Sequence, residues 1–248
     1  MTDTLQLFRE KFNAFLIHLF VSVLILFIVF LIVYFVLYPY PLLTATGGKE
    51  ILLIMVMIDI VLGPLLTFIV YRKYKKTLKF DLAIIGLIQL IALIYGLSSM
   101  VLAKPCWIVF NQNKFELIQC SQIVGDTGKS DYQLALFERP IFRAVMLSQD
   151  PKLKSEQIFD EVLSGISLAQ RPENYVDLSK VTEKIQEQAQ SVMLLKQYNN
   201  AKQVDRILSK YPQATGFVPL KANAVDMTVL INKEKGEVVK IVDLRPWK

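Results

Sequence analysis

The chain has 248 residues, 53% of them hydrophobic, with 28 Lys and Arg against 22 Asp and Glu. A mean hydropathy of +0.40 with only 20% charged residues excludes an ordinary soluble domain, in which roughly a quarter of the residues are charged. The net charge of +6 is shared evenly by the two halves, which leaves no basic stripe of the kind nucleic-acid binding needs.

The charged residues divide near residue 103. Residues 1–103 hold only eight of the basic and five of the acidic side chains, so one part is made for lipid and the other for water. The sequence therefore predicts a membrane domain over residues 1–103 and a second domain over residues 104–248, long enough for a core of its own.

From Phe12 to Gly48 there is no Asp, Glu, Lys or Arg, and two more apolar runs follow, interrupted only by Asp59. A bilayer takes about 20 apolar residues in helical form, which predicts spans at about residues 13–38, 51–71 and 82–103. The first run is longer than the ~7–15-residue core of a cleavable signal peptide. Tyr34, Tyr38, Tyr40, Tyr71 and Tyr74 fall at run ends, where a ring with a polar tip suits the membrane interface. Between the second and third spans lie Arg72, Lys73, Lys75, Lys76 and Lys79, whereas the loop after the first span carries only Lys49 beside Glu50. Short basic loops stay cytoplasmic. The N-terminus is then expected inside, the loop over residues 40–50 outside, and everything after Lys104 outside as well. The competing reading of the basic run is a nucleotide- or lipid-binding patch.

The far side is the oxidising side, where disulfides persist. The only cysteines, Cys106 and Cys120, flank two strand-like runs around an Asn-rich turn. A hairpin centred on Asn113 sets them directly opposite each other, within disulfide reach. Their spacing is not that of a redox-active dithiol motif, so a structural staple is the favoured reading. After them, Leu178, Val181, Ile185, Ala189, Val192 and Leu195 recur at the spacing of one helix face, either a core face or a partner groove. Shorter helices are expected near residues 156–163 and 201–210, the latter stopped by Pro212. Strands return at residues 216–220, 227–231 and 238–242. The second domain is thus α+β: a β-hairpin, helices, then a β-hairpin.

Catalytic groups are few. The one histidine, His18, lies in the first span, so no triad, Cys–His pair or metal cluster can be assembled beyond the membrane. Gly125-Asp-Thr-Gly128 matches no phosphate-binding fingerprint. No cofactor is implied. The unusual group is Asp59, near mid-membrane, where a carboxylate costs about 2.5–3.5 kcal/mol and marks a functional site. Counted from the inner face at 1.5 Å per residue, Asp59 is at about 18 Å, Tyr95 at about 20 Å, Gln89 at about 10 Å and His18 at roughly 8 Å. Tyr95 is thus the level match for Asp59, and His18 pairs with Gln89. Gly63 and Pro64 follow, and the proline removes a backbone hydrogen bond and invites a kink. Asp59 then either bonds to Tyr95 or receives a cationic group from another transmembrane segment.

Several of these residues carry a resemblance. Asn13-Ala-Phe-Leu-Ile-His18, Tyr38-Pro-Tyr-Pro-Leu42, Ala45-Thr-Gly-Gly48, Asp59-Ile-Val-Leu-Gly-Pro-Leu-Leu-Thr67, Leu78-Lys-Phe-Asp-Leu82, Gln89, Tyr95-Gly96 and the closing Asp243-Leu-Arg-Pro-Trp247 are present. Together they resemble the TfpX/TfpZ family of type IV pilin accessory proteins, over residues 12–115 and the final hairpin. The resemblance implies a multi-pass protein of the bacterial inner membrane, with its C-terminal domain periplasmic. It would bind a major type IV pilin, act on its assembly as a chaperone-like helper, and carry no catalytic residue. Membrane lipid and the pilus assembly machinery are the further partners implied. The rival reading is a membrane-tethered periplasmic enzyme or thiol oxidoreductase.

Overall fold

The computed structural model describes residues 2–124, 134–148 and 150–248, so residues 125–128, screened above as a phosphate loop, lie outside the described residues. The chain forms two compact units, one of Met1–Val36 with Gly48–Val101, the other of Leu37–Gly47 with Leu102–Lys248.

The first unit consists of three helices. Helix one runs over Thr2–Ile32 and continues as a wider π-helical turn, Val33–Leu37. It starts earlier than the apolar run because residues 2–11 contain neither Gly nor Pro and continue the helix without a break. Helix two is α-helical over Gly48–Val56, π-helical over Met57–Leu62 and α-helical again over Gly63–Val70, and helix three spans Leu78–Leu102. All three are long and apolar enough to cross a membrane. Phe8 and Phe15 of helix one meet Phe68 of helix two edge-on, at 5.8 and 6.3 Å between ring centres. Met55 of helix two fills the space above Gly96 of helix three, where a Cβ would come within 2.7 Å of its sulfur. The outer surface is apolar, with Ile17 68% and Phe20 70% exposed. Such a surface is unfavourable in water and neutral in lipid.

The second unit is built on eight strands: β1 Pro105–Asn111, β2 Lys114–Gln119, β3 Ile141–Val145, β4 Tyr175–Val176, β5 Gln190–Ser191, β6 Gly216–Lys221, β7 Met227–Asn232 and β8 Glu237–Val242. Their order is β4-β3-β1-β2-β6-β7-β8, with β5 also paired to β6. The two expected hairpins, β1–β2 and β7–β8, are present. What joins them is a parallel pairing of β2 with β6, Phe115 opposite Leu220, across more than 100 residues of sequence. Strand β3, absent from the sequence reading, adds in parallel to β1.

Both faces of this sheet are covered, which is why β1 is buried at every position instead of alternating. On one face Ile108, Phe110, Val218, Val229 and Ile231 pack under Val181, Ile185 and Ala189. On the other, Phe217 and Leu230 meet Leu195 and Val204, and Trp107 and Val109 meet Leu168 and Ala169.

The predicted single helical stripe is broken. A 3₁₀ turn at Leu178–Val181 leads into a helix over Thr182–Gln188, the chain then extends as β5, and Val192–Leu194 and Leu195–Tyr198 form a second short helical stretch. The pairing of Gln190 and Ser191 with Phe217 and Gly216 overrides the helical period. Neighbouring helices occupy Pro151–Ser164 and Ala201–Leu208, the latter capped by the Asn200 side chain on Lys202 N–H at 3.0 Å.

The segment Leu37–Gly47, which the division at residue 103 assigns to the membrane domain, is part of the second unit's core. Leu42 and Ala45 pack among Phe110, Leu220 and Met227. The Ala45 carbonyl accepts the N–H groups of Ala224 and Val225 at 3.0 and 3.2 Å. Asn199 exchanges two bonds with the Arg245 backbone, at 2.7 and 2.8 Å, and the Arg245 guanidinium holds Asp243 and the Asp226 carbonyl. The closing Asp243-Leu-Arg-Pro-Trp247 run is therefore a structural clasp.

Cys106 and Cys120 form a disulfide, with Cα atoms 5.2 Å apart. They are not direct cross-strand partners as the sequence suggested. The hairpin closes through Gln112 and Asn113, with Gln112 at φ 57, and pairs Asn111 with Lys114. A bulge between Pro105 and Trp107 then carries Cys106 out of register and toward Cys120, which follows the last paired residue. Replacing both by Ser opens a loop of about 15 residues and is expected to lower unfolding stability of the second unit by about 3 kcal/mol in the chain-entropy model. Denaturant unfolding in detergent followed by Trp fluorescence measures this, since Trp107 and Trp247 both lie in that unit.

Candidate functional site

Four polar residues of the three apolar helices, His18, Thr67, Gln89 and Asp59, form one hydrogen-bonded chain. His18 of helix one lies 2.6 Å from the Thr67 hydroxyl of helix two through Nδ1, and 2.7 Å from Gln89 Oε1 of helix three through Nε2. Gln89 Nε2 donates onward to Asp59, to its carbonyl at 3.3 Å and its Oδ1 at 3.4 Å. Because the Gln89 nitrogen donates to Asp59, its oxygen accepts from His18 Nε2–H. The other ring nitrogen, Nδ1, is engaged with the Thr67 hydroxyl.

Pro64 explains why Gln89 is needed. In the π-helical turn the Gly63 N–H reaches back five residues to the Ile58 carbonyl. The next bond in that register, onto Asp59, would require an N–H at position 64, and proline has none. The Asp59 carbonyl accepts instead from the Gln89 side chain, which fits because residue 63 is glycine: a Cβ there would fall on the Gln89 amide.

Tyr95 is not the partner of Asp59. It is 76% exposed. Six positions beyond Gln89, it is turned about 240° around the helix and faces away, a rotation that a count of levels ignores. Gln89, with its longer reach, takes its place. Thr67 and Ser22 belong to the site and were not singled out from the sequence. The available signal was spacing, since Ser22 follows His18 by four residues and Thr67 follows Asp59 by eight, both near whole helical turns.

Of the basic residues, Lys73 pairs with Glu10 and Lys75 with Asp81, each at 2.6 Å, while Arg72, Lys76 and Lys79 make no ion pair among the described residues. Alongside the polar chain, Ser22 and Asp59 line a cleft of about 310 Å³. The site offers hydrogen bonds and one carboxyl group. Both nitrogens of His18 are engaged, and among the described residues no group of three His, Cys, Asp or Glu side chains is placed to hold a metal.

Three membrane-crossing helices tied by one polar chain, followed by a disulfide-bearing α+β unit, define the class of protein. The family described as fimbrial assembly protein FimB matches residues 6–47. Fimbrial assembly proteins of Dichelobacter nodosus are similar over longer stretches. That of serogroup E1 is 27% identical over 241 residues and that of serogroup I 28% over 240, each match covering 92% of both chains. That of serogroups C1 and C2 is 31% identical over 122 residues, 48% of this chain and 92% of the relative. The chain belongs to the fimbrial assembly protein family. No solved structure matches it significantly.

Gln89→Leu removes the donor and acceptor that join three helices and is expected to destabilise the helical unit by about 1–2 kcal/mol. Adding His18→Leu costs less than the sum of the two, since the pair acts through one bond. Unfolding titrations in mixed micelles measure both quantities.

Proposed function

We propose that this protein is a non-enzymatic accessory of type IV pilus assembly in the bacterial inner membrane, of the TfpX/TfpZ kind, which binds a major pilin and acts on its assembly. The fimbrial assembly relatives support the process. The observation that carries the binding step is the buried Asp59, whose carboxyl group lines a cleft within apolar helices. Pilin subunits wait in the membrane with an apolar N-terminal helix that bears polar groups, and Asp59 is the anchor for such a group. Gly63, Pro64, Gln89 and His18 hold that anchor in position. Tyr95 plays no part in holding it.

In this reading the N-terminus is cytoplasmic and the second unit is periplasmic. Arg72, Lys73, Lys75, Lys76 and Lys79 fix the orientation. The disulfide favours the oxidising side. The thiol oxidoreductase alternative is disfavoured because Cys106 is 1% exposed and bonded within a strand bulge, and its spacing to Cys120 is not that of a Cys-x-x-Cys dithiol.

Asp59→Asn keeps the hydrogen bonds accepted from Gln89 and should insert normally, yet reduce pilin co-purification severalfold. Unchanged pilin recovery removes Asp59 from the mechanism. A C-terminal phosphatase fusion is expected to be active and a cytosolic fluorescent reporter at the same position dark. The reverse pattern overturns the assignment.

A further inference from the structure

The cleft beside Asp59 has the form of a seat for a helix. One wall is His18, Val21, Ser22 and Ile25 of helix one, at positions i, i+3, i+4 and i+7. The other is Gly86, Gln89, Leu90 and Leu93 of helix three, with the same spacing. Two parallel stripes of this kind form a groove that receives the ridge of a further helix. Gly86 leaves it open: a Cβ added there meets nothing within 4 Å. Helix three is also the least packed of the three, with 11% of its apolar window buried against 22% and 28% for the others.

The polar groups of the cleft point to what fills it. Ser22 is 6% exposed, yet its hydroxyl makes no hydrogen bond among the described residues, not even the usual one to the carbonyl four residues back. Asp59 is equally buried, and Gln89 satisfies only one oxygen of its carboxyl group. In hydrocarbon such groups are costly until they are paired, and an acyl chain has nothing to pair them with. A helix bearing one hydrogen-bond-donating or cationic side chain does.

We infer that the groove between helices one and three seats a fourth transmembrane helix, whose donor side chain bonds to Asp59 and Ser22 and whose backbone packs closely over Gly86. The inference rests on the proposed function for the identity of that helix, the membrane segment of the pilin. The accessory protein then completes a four-helix bundle with each pilin it holds, and the polar chain from Thr67 to Asp59 is the rigid floor of the seat.

Photoreactive residues at Val21 or Leu90, in cells that express the pilin, are expected to crosslink to it, and one at Tyr95 outside the groove is not. Gly86→Leu projects into the groove from a position where a Cβ meets nothing within 4 Å and, with Ser22→Leu as a second variant, should cut the crosslink yield about fivefold or more, the worth of one close interhelical contact. Protein level and the Cys106–Cys120 bond report folding in each variant. Crosslinks from the groove to lipid or to a second copy of this chain alone, or equal pilin capture from Tyr95, overturn the seat. Pilin that co-purifies and crosslinks only through the second unit rejects the groove and leaves the accessory role standing. Pilin captured by neither route rejects both.

Discussion

The bonds that Gln89 makes in both directions hold the membrane unit to a single arrangement. A proline at position 64 deprives the Asp59 carbonyl of a backbone donor, and in an apolar environment that deficit must be met from outside the helix. The Gln89 amide meets it, and its oxygen draws in His18, which in turn engages Thr67. Lipid tails are as apolar as leucine, so burial contributes little to holding these helices together. Polar contacts of this kind and the close approach at Gly63 and Gly96 do most of that work. Both glycines lie where a side chain would strike a neighbouring helix.

The second constraint is the placement of Leu37–Gly47 in the core of the other unit. Residues 37–47 lie between spans one and two in the chain, yet they belong to the core built by residues 102–248. This placement gives Pro39 and Pro41 a role beyond ending a helix: they turn the chain so that Leu42 and Ala45 enter the core beneath β6 and β7.

The second unit shows how local and distant preferences compete. Residues 178–195 carry a helical period in sequence, and Val181, Ile185 and Ala189 keep it on one face of the sheet, while Leu195 packs on the other face. Yet two residues in the middle pair with β6, because the edge of β6 left uncovered by β2 offers backbone groups that need partners. The same requirement recruits β3 beside β1.

The sequence by itself determined the number of spans, the disulfide partners and the two hairpins, and it singled out Asp59, Gln89 and His18 but not Thr67, because each of these depends on composition or on neighbours a few positions away. Apolar length decides a span, and a hairpin joins residues close in the chain. Only the tertiary structure decided that Asp59 meets Gln89 and not Tyr95, since helix rotation is set by packing between helices. Likewise only the fold pairs β2 with β6 and brings residues 37–47 into the C-terminal core, because contacts between residues about 70 to 180 positions apart leave no periodic trace in the sequence.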